Sequence, residues 1–341
     1  MPAFLFALMA LPLRLPSTKG LPVPIRIADN LPARRTLEAE GVIVMAETEA
    51  ARQDIRPLRI ALLNLMPDKI TTETQIARVL GASPLQIELA LLRISDHVSK
   101  NTAAGHIAEF YQPWSEVAQD RFDGLIITGA PVETIPFDDV TYWPELARIF
   151  DWSQTHVHRT LTLCWGAMAA LWHFHGVGKH GLETKASGVF AHWNRAPATP
   201  WLRGLPDRFD VPVSRWSEVR REDLPAGSGL TVLAESDEVG LCLVDDPAHR
   251  ALHMLNHLEY DTLTLANEFA RDADSAGVGA YVPAHYFPGD DPAAAPVNTW
   301  RGNGHILFGN WLNEVYQTTP FDPADIGLPL SGSDNRGGWA A

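Results

Sequence analysis

Residues 160–172, TLTLCWGAMAALW, carry the strongest signal for the architecture of this protein. Its first four residues have the apolar pattern of a strand, and the residues from Trp165 onward have the pattern of a helix. A strand that turns directly into a helix is typical of a parallel α/β sheet. The sharp turn lifts the side chain of Cys164 out of the sheet and aims the first N–H groups of the helix at whatever that side chain attacks. The stretch therefore places a cysteine where a nucleophile and an oxyanion site can coincide.

Two interpretations of Cys164 stay open at this point. The α/β-hydrolase elbow has the same strand–nucleophile–helix order, with serine as nucleophile. Gly166 supplies the small residue that such a turn needs, while Thr162 is less suitable than glycine. Free cysteine is also among the most buried residue types, so a buried structural thiol fits the same local sequence.

Composition and charge narrow the class of protein. The chain has 341 residues, 46% hydrophobic and 20% charged, which suits a large α/β domain. Its formal net charge of −14 argues against nucleic acid or an anionic membrane as the main partner. The two cysteines, Cys164 and Cys242, form no disulfide framework and fit a cytoplasmic location.

The two ends of the chain differ from the rest. Residues 4–11 are apolar but too few to span a bilayer, and they lack the features of a secretory signal. We expect residues 1–22 to be a leader that is not translated and does not belong to the domain. A single domain is expected over 23–322, and a loose tail over 323–341, because the tail is rich in Pro, Gly, Ser and Asp.

The order of predicted elements indicates a parallel sheet. Buried strands are expected at 59–64, 85–92, 122–129 and 160–163, with helices after most of them. This rhythm predicts a flavodoxin-like sheet with helices on both faces. Residues 230–234 and 240–244 resemble a hairpin that extends the sheet in antiparallel fashion, and 250–257 one more strand. Residues 176–226 are predicted to be irregular.

A cysteine nucleophile needs a base, and the base needs a residue that orients it. His257 and Glu259 follow a predicted strand two residues apart, so both side chains can point the same way. The carboxyl ends of parallel strands share one edge of a sheet, which places this pair near Cys164. Coincidence also explains a His-x-Glu pattern in a chain with 13 histidines.

Other polar residues carry weaker signals. His173, His175 and His180 follow no standard zinc spacing, so no metal is predicted. Lys69, Lys185 and Arg271 could hold an anionic substrate, although each alone is more often a solvated surface charge.

Several long segments together carry a resemblance to a known family. They are 24–33, 54–67, 122–131, 163–165, 187–189 and 259–263. From about residue 23 to 322, the chain resembles the homoserine O-acyltransferase (homoserine O-succinyltransferase) family, whose fold is like that of class I glutamine amidotransferases. The resemblance implies a cytoplasmic homodimer in methionine biosynthesis that uses an acyl-CoA and L-homoserine and needs no cofactor.

The resemblance also implies roles for individual residues. Cys164 matches the residue that carries the acyl group as a thioester, His257 the general base and Glu259 its partner. Lys185, Ser214 and Arg271 match positions that bind the acceptor amino acid. Three further residues are expected near the oxyanion or acyl-CoA: Lys69 by resemblance, and Trp165 and Gly129 through backbone N–H groups at or beside them.

Glu133 matches the position that selects the acyl donor, where glutamate resembles acetyl-CoA users and glycine resembles succinyl-CoA users. A glutamate there fills space and repels the free carboxylate of a succinyl group. The chain is therefore expected to be a homoserine O-acetyltransferase. Asn256 and Leu258 depart from the glycine and proline of many members, which leaves serine open as acceptor. Succinyl transfer and a glutamine amidotransferase-type hydrolase stay as alternatives.

Overall fold

The computed structural model describes residues 25–28, 30–40, 42, 44–45, 56–96, 102–274 and 281–327. The leader expected over residues 1–22 lies outside these ranges, as does the tail beyond residue 327. The tail residues that are described pack on the domain, because Ile326 is buried and its carbonyl accepts a hydrogen bond from Arg121. Among the described residues, no helix combines the length and the apolar character needed to cross a membrane.

One sheet of twelve strands organises the described chain. The strands are β1 (Ile25–Arg26), β2 (Val44–Met45), β3 (Leu58–Leu63), β4 (Ile87–Arg93), β5 (Gln112–Pro113), β6 (Phe122–Ile127), β7 (Val157–Leu163), β8 (His180–Asn194), β9 (Arg208–Glu218), β10 (Thr231–Ser236), β11 (Gly240–Asp246) and β12 (Ala251–Met254). Their order is β2-β1-β4-β3-β6-β7-β12-β11-β10-β8-β9, with β5 paired to β4.

The helices are α1 (Ala33–Ala39), α2 (Lys69–Gly81), α3 (Ala104–Phe110), α4 (Trp114–Val117), α5 (Trp143–His156), α6 (Trp165–His175), α7 (Thr264–Asp274) and α8 (Arg301–Thr318). Successive residues of β3 point to opposite faces of the sheet, since Ile60 and Leu62 belong to one hydrophobic cluster and Ala61 and Leu63 to another. Residues of α2 and α8 pack in the first cluster, and residues of α5 and α6 in the second. The predicted parallel sheet with helices on both faces is confirmed.

The sheet changes character at β12. All pairings from β2 to β12 are parallel, whereas β12–β11, β11–β10, β10–β8 and β8–β9 are antiparallel. The predicted hairpin is present as β10 and β11.

The expectation of irregular structure over 176–226 is wrong for much of that segment. Residues of β8 and β9 pair along a long hairpin, from His180↔Glu218 to Trp193↔Arg208. An irregularity between Gly181 and Ala186 interrupts the register, and Gly188 has a φ of 154°. Both features break the simple alternation that sequence reasoning uses to identify a strand.

Candidate active site

The ends of adjacent parallel strands bring the predicted site residues together. Leu163 and Met254 end β7 and β12, and they are direct partners in the register of these two neighbouring strands. Cys164 follows Leu163 at once, and His257 follows Met254 by three residues. On the other side of β7, Ile127 ends β6 and pairs with Thr162. Cys164, His257 and the loop after β6 therefore share one edge of the sheet, as predicted.

Cys164 occupies the sharp turn that the sequence indicates. Its φ of 49° and ψ of −118° are strained for a residue with a Cβ atom, and it directly precedes α6. The Cys164 N–H donates to the carbonyl of Met254 at 2.7 Å, which ties the turn to the end of β12. The side chain is 3% exposed. Strain held by packing and hydrogen bonds is characteristic of a nucleophile elbow.

Two glycines make room for this turn. A Cβ atom on Gly166 would lie 2.6 Å from the carbonyl oxygen of Thr128, so the first turn of α6 can approach the β6 loop only without a side chain there. A Cβ on Gly129 would lie 3.2 Å from Cβ of Cys164 and 3.7 Å from the backbone nitrogen of Trp165. The absence of a side chain at Gly129 keeps the space beside the nucleophile and the first helix nitrogen open.

His257 is held between Cys164 and Glu259. Its Nδ1 lies 2.7 Å from Oε1 of Glu259, and its side chain lines the same cavity as Cys164. The ring stacks on Tyr260 with centroids 4.0 Å apart. Burial alone lowers the pKa of His257, but the negative charges of Cys164 and Glu259 outweigh it and hold the pKa well above its usual range. The arrangement therefore favours the protonated imidazolium of His257 next to Cys164.

A cavity of about 560 Å³ opens over the nucleophile. It is lined by Cys164 and His257 and by four predicted substrate residues, Glu133, Lys185, Ser214 and Arg271. Glu259 contacts His257 from behind. Lys185 comes from β8 and Ser214 from β9, so the hairpin over residues 180–218 forms one wall.

Glu133 lies against the nucleophile. Its Oε1 is 3.9 Å from Sγ of Cys164, and its Oε2 accepts a hydrogen bond from the Trp216 N–H at 3.4 Å. Lys179 donates to the main-chain carbonyls of Glu133 and Ile135 and thereby fixes the loop. Burial raises the pKa of the Glu133 carboxyl. A carboxyl group thus occupies the part of the cavity next to the reacting sulfur.

Glu268 is a site residue that sequence reasoning missed. Its carboxylate accepts a hydrogen bond from Ser214 and, at 3.1 Å, one from the Tyr260 hydroxyl, and it lies 3.4 Å from the Lys185 ammonium. Lys185 also pairs with Asp272 at 2.9 Å. The available signal was spacing, because Glu268 precedes the predicted Arg271 by three residues on α7 and such residues share a helix face.

Lys69 lies outside the lining of this cavity. Its ammonium donates to the carbonyls of Asn64 at 2.6 Å and Met66 at 3.3 Å, and it sits over the Tyr111 ring. Burial lowers its pKa to about 8. Since Met66 lines the cavity, Lys69 supports the wall from behind instead of facing the reacting atoms.

Comparisons with known proteins identify the family of the chain. A family model described as homoserine O-succinyltransferase matches residues 24–321. The chain is 76% identical over 305 residues to a protein named homoserine O-acetyltransferase from Novosphingobium aromaticivorans, covering 89% of this chain and 100% of the relative. A protein of the same name from Brucella canis is 61% identical over 305 residues, covering 89% and 99%.

The solved structure of a glutamine amidotransferase from Thermotoga maritima matches with a TM-score of 0.50 at 11% identity, covering 76% of this chain and 99% of that one. This likeness concerns the fold alone and agrees with the predicted class I glutamine amidotransferase-like architecture. The family model, by contrast, matches the sequence over most of the chain. The chain therefore belongs to the homoserine O-succinyltransferase family.

Proposed function

We propose that this enzyme transfers an acetyl group from acetyl-CoA to the hydroxyl of L-homoserine through a thioester on Cys164. The observation that carries the proposal is the strained Cys164 beside the His257–Glu259 pair, in a cavity that also contains Glu133. The names of the 76% and 61% identical relatives support the same donor and acceptor.

In the first half-reaction, the Cys164 thiolate attacks the thioester carbonyl of acetyl-CoA. A new C–S bond to Cys164 forms and the C–S bond to CoA breaks. The departing CoA thiolate takes the proton of the His257 imidazolium, which leaves His257 neutral. The backbone N–H of Trp165 and one near Gly129 are proposed to stabilise the oxyanion.

In the second half-reaction, the homoserine hydroxyl attacks the acetyl carbonyl. Neutral His257 takes the hydroxyl proton as the C–O bond forms, and the Cys164 thiolate leaves. The products are O-acetylhomoserine and the starting thiolate–imidazolium pair. Acetate leaves from the new ester more easily than hydroxide leaves from homoserine. The product is therefore ready for later sulfur incorporation, as methionine biosynthesis requires.

The charges of the cavity suit an amino acid with both termini ionised. Lys185 and Arg271 are proposed to bind the carboxylate of homoserine, and Glu268 its ammonium group. Ser214 and Tyr260 both donate hydrogen bonds to Glu268 and would hold the Glu268 carboxylate in place. An acceptor held at both charged ends presents its side-chain hydroxyl in one orientation.

Activity with acetyl-CoA and succinyl-CoA, each combined with homoserine, serine and glutamine, tests the proposal. We expect turnover with acetyl-CoA and homoserine to exceed the other pairs. Preference for succinyl-CoA or for serine would move the assignment to those alternatives, and glutamine hydrolysis without acyl-CoA would overturn it in favour of an amidotransferase-type hydrolase.

The oligomeric state and the location stay predictions. We propose a homodimer and a cytoplasmic location, both implied by the family. Sedimentation of the purified protein tests the first, and fractionation of the source cells tests the second.

A further inference from the structure

A second cluster of ionisable side chains lies at the far end of α6. Asp246, which ends β11 and is fully buried, is contacted by three histidines. Its Oδ2 lies 2.6 Å from Nε2 of His175, 2.8 Å from Nδ1 of His249 and 3.6 Å from Nε2 of His253. The ligand atoms of His175, Asp246 and His249 all lie within 4.8 Å of one another.

His253 provides a second, independent observation. Its side chain is fully buried, and within the described part of the chain its Nε2 has no hydrogen-bond partner. Its Nδ1 lies 2.8 Å from the Thr162 hydroxyl. When Nδ1–H donates to that hydroxyl, Nε2 presents its lone pair to the centre of the cluster. Histidines that bind metals are oriented in this way by a hydrogen bond from the ring nitrogen that does not bind the ion.

We infer that His175, Asp246, His249 and His253 form a site for a divalent transition-metal ion of the zinc type. Three imidazole nitrogens and one carboxylate oxygen suit zinc better than Mg²⁺ or Ca²⁺, which prefer oxygen ligands. Tetrahedral zinc with bonds of about 2.0–2.2 Å needs ligand atoms roughly 3.3 Å apart. Oδ2 of Asp246 lies closer than this to the nitrogens of His175 and His249 and slightly farther from that of His253, so the four side chains would have to shift to complete the shell.

The proposed ion would be structural. It would join the end of α6 to the connection between β11 and β12, and α6 spans about 16 Å from this end to Cys164 at 1.5 Å per residue. The opposite end of α6 begins directly after Cys164, and the opposite end of β12 leads to His257. The sequence predicts no metal because His173, His175 and His180 follow no standard zinc spacing. These three contact different carboxylates, on Asp151, Asp246 and Asp223.

Zinc binding by untagged protein tests the inference. The measurements use the Cys164→Ala variant, so that the active-site thiolate cannot contribute a ligand. After removal of metal with a chelator and re-equilibration with zinc chloride, we expect one tightly bound zinc per chain by elemental analysis. His249→Gln in the same background should lower the affinity by more than about 100-fold, because it removes a direct ligand.

His173→Gln is the matched control, since His173 lies on the same helix and pairs with Asp151 outside the cluster. It should bind zinc like its parent. Should His249→Gln fail to fold, cobalt substitution in the parent decides, because a tetrahedral site of nitrogen and oxygen ligands gives strong visible bands without sulfur-to-metal charge transfer. Absence of stoichiometric zinc, equal binding by His249→Gln, or a featureless cobalt spectrum would overturn the site.

Discussion

Glu133 offers the sharpest test of how the cavity selects its acyl donor. Its carboxyl oxygen is 3.9 Å from Sγ of Cys164, so a succinyl group on that sulfur would place its free carboxylate in the same part of the cavity as Glu133. Two like charges 5 Å apart repel by about 3 kcal/mol at an effective dielectric constant of about 20, or roughly 150-fold in kcat/KM. Acetyl carries no charge and escapes this penalty.

Glu133→Gln removes the charge and keeps the volume, whereas Glu133→Gly removes both. We expect kcat/KM for succinyl-CoA to rise by about 10- to 100-fold in the glutamine variant and further in the glycine variant. Glu133→Asp, which keeps the charge, is the control and should keep the preference for acetyl-CoA. The assay follows CoA release with each donor at fixed homoserine.

The pH dependence gives an independent check. Because burial raises the pKa of Glu133, its carboxyl becomes neutral at a higher pH than an exposed glutamate does. The ratio of kcat/KM for acetyl-CoA to that for succinyl-CoA should therefore decrease as the pH is lowered and Glu133 becomes protonated, and Glu133→Gln should lack this change. A donor ratio within twofold of wild type in the glutamine variant would refute the electrostatic argument.

Three further predictions concern the elbow, a buried carboxyl and the base. Gly166→Ala should destabilise the fold by about 1–3 kcal/mol, because the new Cβ would meet the Thr128 carbonyl at 2.6 Å, whereas Gly178→Ala, with open space, should not; urea denaturation compares them. Burial raises the pKa of Glu73 to about 8, so the folded state holds an extra proton above the unfolded pKa. The free energy of unfolding should then fall by up to about 1.4 kcal/mol per pH unit between about pH 5 and 8. Glu73→Gln should lack this dependence of the unfolding free energy on pH. Equal slopes in the wild type and the variant would contradict the raised pKa of Glu73. Glu259→Gln should lower kcat by about 100-fold or more by releasing His257 from its orienting carboxylate, and a loss below threefold in steady-state assays would count against this role.

Much of the site could be predicted because strand ends align. The stretch from Thr160 to Trp172 placed Cys164 at an elbow, and the parallel partner Met254 carries the chain toward His257. The positions of Cys164 and His257 both follow from local sequence and from the rule that parallel strands end at one edge of the sheet.

The cavity wall formed by the β8–β9 hairpin was harder to predict. Lys185 and Ser214 were named through resemblance, yet their strands lie in a segment expected to be irregular. Glu268 was missed because its spacing from Arg271 indicates only a shared face of α7, whereas its contacts with Lys185 and Ser214 join α7 to the distant β8–β9 hairpin. Lys69 shows the converse, since a lysine after a strand end can turn back to hold the main-chain carbonyls of its own loop.

Detection of the acyl-enzyme would show whether Cys164 carries the acetyl group during turnover. Purified protein is mixed with acetyl-CoA in the absence of an acceptor, quenched in acid, digested and examined by mass spectrometry, with Cys164→Ala as control. We predict one acetyl group, on the peptide that contains Cys164, which disappears when homoserine is added before quenching. Normal turnover with no acetyl on Cys164, or normal turnover by the Cys164→Ala variant, would contradict the mechanism.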